Sequence, residues 1–197
     1  MLRTVSIKLA TTSEQTSALC DLQKLFNKVC NTVAVIAKDN RCWNHVDLHH
    51  LAYYQIRLAQ DVVLGSQMVC NAIKTVCDAY KALKIKKTQS IPKITFMASA
   101  SVHFDKRTYS LRGEAISLYT LSGRIVVPMI LKEFQQKYLK MGRPKEAELI
   151  FKNGAWFLNL VIEIPSASEV PRTGNVLWVD LGENNLAATS TGKLFGG

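Results

Sequence analysis

Asp180 is the residue whose type and setting most directly suggest chemistry. It ends the apolar run Val176–Val179, and Leu181-Gly182, an Asn184-Asn185 turn and the strand-like stretch LAATS follow it. An ionised carboxylate at the end of an apolar strand is costly unless it is paired, hydrogen-bonded or bound to metal. A carboxylate projecting from the first strand of a sheet is also how a two-metal phosphodiesterase site begins, because two Mg²⁺ ions need several such oxygens. Gly182 removes a side chain where a phosphate backbone could approach closely. On spacing alone, a cap of the turn at Asn184-Asn185 is the simpler reading of Asp180.

Cations form the second constellation. The 197 residues carry 25 Lys and Arg against 15 Asp and Glu, a formal charge of +10 with a pI near 9.5. Such an excess favours a polyanion through Coulomb attraction and counterion release. The charge is clustered as well. Lys81 to Arg112 holds eight Lys and Arg against Asp105 alone, and Lys132 to Lys145 holds five against Glu133. Lys86, Lys87, Lys93, Lys106, Arg107 and Arg112 are therefore candidates for phosphate contacts, with Tyr109 as a nearby aromatic. A solvated basic face is the alternative reading.

Other chemistry finds less support. His45 and His49 lie four apart on one helical face but have no third ligand nearby, so they read as surface histidines. None of Cys20, Cys30, Cys42, Cys70 and Cys77 forms a CxxC pair, which points to free thiols in a reducing cytosol rather than a zinc site or disulfides. No apolar run approaches a membrane span, and the N-terminus is too short and alternating for a signal peptide, so a cytoplasmic protein without membrane contact is expected.

The elements that must position these residues follow from periodicity. Residues 3–10 alternate as a strand, with Val5, Ile7 and Leu9 on one face. Thr12 and Gln15 have capping-box spacing and open a long helix whose stripe is Leu19, Leu22, Leu25/Phe26, Val29, Val33 and Ile36, ending at Asn40. A second helix is expected from near Asn44 through Leu48, Leu51, Gln55 and Leu58. A third, from near Ser66, buries Val69, Ile73, Val76/Cys77 and Tyr80. The period then becomes two. Val102/Phe104, Tyr109/Leu111 and Ile116/Leu118 alternate, and Arg124 to Leu131 reads as an edge or bulged strand because Pro128 interrupts it. Ala147 to Lys152, Asn153-Gly154 and Ala155 to Ile164 form a hairpin. Trp43, Trp156 and Trp178 read as core. The fold class is α+β: a β-barrel begun by the first strand, with three helices inserted before the second.

Several stretches resemble one family in its own order. VDLGENNLAATSTGKLFGG resembles the first RuvC motif of the transposon-encoded TnpB (OrfB) family and its type V CRISPR relatives. SVHFDKRTYSLRGEAISLYTLSGRIVVPM resembles the central barrel segment, with Asp105-Lys106-Arg107-Thr108-Tyr109 as its most recognisable core. ELIFKNGAWFLNLVIEIP resembles the hairpin before the nuclease, and SQMVCNAIKTVCDAYKALK the last helix of the recognition unit.

The resemblance implies an RNA-guided DNA endonuclease in which base pairing supplies sequence and the protein reads backbone and a short duplex element. It implies a wedge-like (OB-like) barrel from the strand at 1–12 and residues 89–165, a recognition insertion at 13–88, a linker at 166–174, and the start of a RuvC/RNase H-like domain at 175–197. Guide RNA and target DNA are the implied partners. Tyr53, Tyr54, Ser66, Gln67 and Asn71, with Lys74 beside them, lie in helices resembling the target-duplex-reading surface, where Gln and Asn pair with adenine edges; caps and helix packing explain the same residues. Asp180 carries over as the first metal-ligating carboxylate. The chain departs from the family in lacking the later catalytic Glu and Asp and the paired CxxC motifs. The expectation is a nucleic-acid-binding front half, cleavage-incompetent alone, with Mg²⁺ only where the nuclease site is completed and no zinc site. Alternatives are a non-functional remnant of a transposon gene, a split nuclease completed by a second polypeptide, and a small RNA-binding regulator.

Overall fold

Alternation in the first residues becomes strand β1 (Leu2–Leu9), with Val5, Ile7 and Leu9 buried and Ser6 and Lys8 exposed. Thr12 then caps α1 (Ser13–Asp39): its Oγ1 accepts from Gln15 N–H at 3.2 Å, and Gln15 Oε1 accepts from Thr12 N–H at 3.1 Å. This reciprocal pair satisfies two donors that a helix start otherwise leaves orphaned. Asn44 Oδ1 accepts from Val46 and Asp47 N–H at the start of α2 (His45–Leu58), and α3 (Ser66–Ala82) follows.

The computed structural model describes residues 1–59, 63–86, 88–165, 179–180 and 186–195. Lys87, the linker at 166–174, the Val176–Trp178 run, Gly182, Glu183, Asn184-Asn185 and the final glycine pair lie outside the described residues. Two units are present, Met1–Pro165 and Ser166–Gly197.

In the first unit seven antiparallel strands follow the order β2-β6-β7-β1-β5-β4-β3. They are β1, β2 (Val102–Phe104), β3 (Tyr109–Arg112), β4 (Ala115–Thr120), β5 (Gly123–Ile130), β6 (Arg143–Lys152) and β7 (Ala155–Glu163). β1 pairs with β7 from Leu2↔Glu163 to Lys8↔Phe157, so the opening strand joins the later ones across the helical insertion. Laid flat, seven strands would hold the two edges about 29 Å apart, six gaps of ~4.8 Å. Yet the edge strands β2 and β3 are joined by residues 105–108 alone, a link reaching at most ~19 Å. The sheet therefore curls into a nearly closed barrel. Its interior takes one residue of every pair, among them Val5, Ile7, Phe104, Ile116, Leu118, Trp156, Leu158 and Leu160, all fully buried. The hairpin turn has Asn153 and Gly154 at φ +51° and +74°, as a type I′ geometry demands.

Two expectations need correction, and one element was not foreseen. β5 is an interior strand, between β1 and β4. Pro128 is tolerated because the ladder changes partner there: pairing with β4 ends at Ala115↔Pro128 and pairing with β1 begins at Leu9↔Met129. In α2 the buried row is Leu48, Ala52 and Ile56, whereas Gln55 and Leu58 face solvent. The small Ala52 lets the helix pack closely, and a reading keyed to leucine misses it. Finally, Glu133–Met141 is a helix, α4, lying on the barrel wall with no fully buried residue. Arg3 stacks over its Tyr138 ring at 5.1 Å and Gln135 Nε2 donates to Ser6 O at 3.2 Å.

The second unit is a three-stranded antiparallel sheet, β10-β9-β8 (Leu194–Phe195, Ala187–Thr189, Val179–Asp180). Val179, the last residue of the apolar run before Asp180, is exposed.

Gly142 links α4 to β6 where no side chain fits. A Cβ there would meet Ile162 Cγ2 at 2.3 Å and the Glu163 carbonyl oxygen at 2.8 Å. The Gly142→Ala variant should lose about 1–3 kcal/mol of stability, as overpacking against backbone does. Urea unfolding measures it, and an unchanged midpoint would contradict this packing.

Candidate nucleic-acid interface

The link that closes the barrel also carries its most prominent cations. Asp105 folds it. Its Oδ1 accepts from Arg107 N–H at 3.0 Å, Thr108 N–H at 3.1 Å and Thr108 Oγ1 at 3.0 Å. Its main-chain oxygen accepts from Thr108 and Tyr109 N–H, and Asp105 N–H donates to Thr108 Oγ1 at 2.9 Å. Asp and Thr with this spacing satisfy a tight turn locally, which is why the chain can reverse in so few residues. Asp105 Oδ2 then reaches outward to Arg107 Nε at 3.2 Å and to α3 through Gln67 Nε2 at 2.8 Å.

Lys106 and Arg107 consequently stand in solvent, the Arg107 side chain 76% exposed, while their backbone is held rigidly. The turn separates two depressions, both lined by Asp105, Arg107 and Glu146. One, about 630 Å³, also involves Lys106, Lys145 and Glu163. The other, about 320 Å³, lies against α2 and α3 and adds His45, His49, Gln67, Asn71, Lys74 and His103. In the first, Lys145 Nζ pairs with Glu163 at 2.7 Å and holds that carboxyl below its usual range. In the second, burial pulls Lys74 down, but Asp78 and Glu146 outweigh it and leave the ammonium above its ordinary pKa.

Two groups in the wall of the second depression, His45 and Cys70, are shifted toward their neutral forms. Burial, then His49 and the lysines Lys81 and Lys74, hold His45 below the usual imidazole value. Burial pushes Cys70 up, so the thiol 3.7 Å from His49 Nε2 is no activated nucleophile. Among the described residues no three His, Cys, Asp or Glu side chains gather in a way that could hold a metal ion. All five cysteines are free. Arg107 and Lys74 beside the stacked His49 and Tyr53 rings can dock an anion.

The expected site residues divide into groups. Gln67, Asn71, Lys74 and Arg107 meet at one depression, and His49 in its wall stacks on Tyr53 at 4.6 Å, with Tyr54 edge-on to Tyr53 at 5.4 Å. Ser66 is exposed at the start of α3. Asn71 is buried, its Nδ2 donating to His103 O and Thr108 Oγ1 at 3.3 Å each; it braces the turn and does not face solvent. Tyr109 is likewise interior rather than a surface ring. Its hydroxyl donates to Lys145 O at 3.0 Å, and burial pushes its pKa up to about 12. Lys86, Lys93 and Arg112 are exposed and line neither depression. Asp180 is exposed on β8, opposite Ala188, so it bears no burial cost.

Sequence reasoning missed His103, Glu146 and Glu148. His103 lies between Val102 and Phe104, where alternation predicts an outward residue, yet all three are buried because α1 and α3 cover the outer face of β2. Its Nδ1 meets Glu148 Oε1 at 2.8 Å, and Nε2 lies 3.9 Å from Glu146. Arg124 was missed too; its Nη2 donates to Arg107 O at 2.6 Å and steadies the turn from β5.

No family model and no curated protein matches the chain. Among solved structures it is similar to a chain in a cryo-EM structure of a CRISPR-Cas12f ternary complex, with a TM-score of 0.57 at 11% identity. The match covers 94% of this chain and 49% of that one, so the chain spans about half the length of the structure it matches. At this identity the likeness establishes the fold, which is type V effector-like, and does not single out TnpB.

Two outcomes test this geometry. Asp105→Ala should cost about 2–3 kcal/mol, since it strands the turn's N–H donors and Gln67; a shift in thermal midpoint of under a degree would refute the hub. Tyr109, neutral in the fold and raised in pKa, contributes stability fully present below about 10 and lost as pH climbs toward about 12. Denaturation series across that window should show the loss in wild type and a flatter profile in Tyr109→Phe.

Proposed function

We propose that the chain is a nucleic-acid-binding module of the type V RNA-guided kind, the front half of a TnpB-like endonuclease. In this reading 1–12 and 89–165 form a wedge barrel that grips guide RNA. The insertion at 13–88 helps hold target-adjacent DNA, and 175–197 begins a RuvC-like domain. The observation that carries the reading is the pair Lys106-Arg107, held out by the Asp105 turn between two depressions in a chain of charge +10. Arg107 engages Asp105 through Nε only, and its Nη groups take no partner among the described residues. Two parallel N–H donors on a pre-set guanidinium suit a phosphate.

Asp180 would be the first ligand for Mg²⁺ if further carboxylates completed the site. One exposed carboxylate does not hold two ions, so these 197 residues bind without cutting. A second reading, one part of a split nuclease completed by another polypeptide, is favoured by the exposed Val179, Leu186, Leu194 and Phe195 on and beside β8–β10.

The test is RNA binding across a salt series. Lys106→Gln with Arg107→Gln should lower the slope of log K against log salt by about 1.4, two contacts at ~0.7 each on a single strand. Affinity indifferent to salt, or to these substitutions, would end the proposal. Asp180→Ala should leave binding unchanged, and Mg²⁺-dependent cutting by this chain that vanishes in Asp180→Ala would overturn the inactive assignment.

A further inference from the structure

Away from the barrel turn, the outer face of α1 carries a groove that no expected site residue except Lys93 touches. Three amides one helical turn apart, Gln23, Asn27 and Asn31, clip the 96–100 segment onto α1. Gln23 Nε2 donates to the carbonyls of Ser99 and Ala100 at 3.0 Å each, and Asn31 exchanges two bonds with Phe96, 2.9 Å from Nδ2 to its oxygen and 2.7 Å from its N–H to Oδ1. Asn27 Nδ2 donates to Gln23 O at 3.0 Å and Ala100 O at 2.9 Å, which fixes the orientation of that amide. Its Oδ1 finds no donor among the described residues although the residue is only 1% exposed. A buried acceptor without a partner costs free energy that a ligand's donor can recover.

That orphan belongs to a built surface. Asn27 lines a groove of about 610 Å³ together with Lys24, Lys28 and Thr32, and a further cavity of about 220 Å³ continues past Val35 to Lys38, Asp39 and Lys93. From Lys24 to Lys38 the helix rises about 21 Å, fourteen steps of ~1.5 Å. That is the rise of about six nucleotides along a duplex strand at ~3.4 Å each. Among the described lining residues four ammonium groups and one carboxylate, Asp39, make the track anion-seeking. The hydroxyl that every ribose carries, and deoxyribose lacks, is the donor that would satisfy Asn27 Oδ1 at any base sequence, directly or through one water.

We propose that this α1 groove is a second, separate binding site for an RNA strand, with phosphates on Lys24 and Lys28 and a ribose 2′-hydroxyl on Asn27. It deepens the proposed function, since it rests on the chain binding RNA. The experiment uses the full chain with a short mixed-sequence single-stranded RNA, the same RNA carrying 2′-O-methyl groups, and the matching DNA. Lys24→Gln with Lys28→Gln, both on exposed helix positions, should weaken RNA binding about tenfold at ~0.15 M salt, two contacts of ~0.7 in the slope. Wild type should prefer RNA to both probes that lack the hydroxyl proton. An unchanged RNA affinity in the α1 variant while Lys106→Gln/Arg107→Gln still loses affinity overturns this site and leaves the barrel reading standing. No loss in either variant removes both. Equal affinity for the three wild-type probes overturns the ribose assignment, and with it the choice of RNA over a DNA strand.

Discussion

Everything in the first unit depends on one carboxylate closing one turn. Asp105 lets the chain cross between the two edges of a curled sheet in residues 105–108, which draws the edge strands β2 and β3 together without pairing them. The strength lies in the bonds to Oδ1 and the main-chain oxygen, which satisfy N–H groups that have no other partner in so tight a turn. The Arg107–Asp105 ion pair contributes little beside them. With Arg107 largely in water, such a pair is worth ~0–1 kcal/mol. Stability and presentation therefore separate cleanly: Oδ1 folds the turn, and Oδ2 aims Arg107 while holding Gln67.

The same turn joins the two halves of the fold. Through Gln67 and Asn71 it fastens α3 to the barrel, and Asn71 spends its amide on His103 O and Thr108 Oγ1. Residues that would suit the reading of base edges are here consumed in bracing the site that presents cations. Lys74, Glu146, His103 and Glu148 extend the fastening along β6, placing a patch of acids behind a basic front. That patch offsets local repulsion among the cations without neutralising Lys106 and Arg107, which stand farther into solvent.

Much of this was legible in the sequence where a local rule decides. The Thr12/Gln15 cap, the Asn153-Gly154 hairpin, the alternation of β1 and the stripe of α3 all follow from spacing that nothing distant overrides. Failures occur where tertiary context overrules the local pattern. Pro128 marked an edge by its missing donor, yet a change of pairing partner makes it harmless in an interior strand. α4 was hidden because no residue of it is fully buried, so its Phe134, Tyr138 and Met141 rhythm drew no attention inside a basic run. Of the site, the DKRTY run was visible as a motif, but its role as barrel closure required knowing that β2 and β3 are opposite edges.

The distribution of polar side chains in the first unit bears on the proposed reading of the chain as a nucleic-acid-binding module. Catalysis needs groups whose protonation is poised near neutrality and that converge on one point. Burial pushes three groups away from that range: Cys77 up to about 11, Tyr109 to about 12 and Cys70 upward. Exposed lysines and arginines stand on the barrel turn and lysines on α1, each on a regular element or a hydrogen-bonded turn. Pre-set cations lose little entropy when a phosphate arrives, and their separation over two faces favours a long polyanion over any compact substrate. Under the proposed reading, a strand of nucleic acid laid across both faces meets that demand.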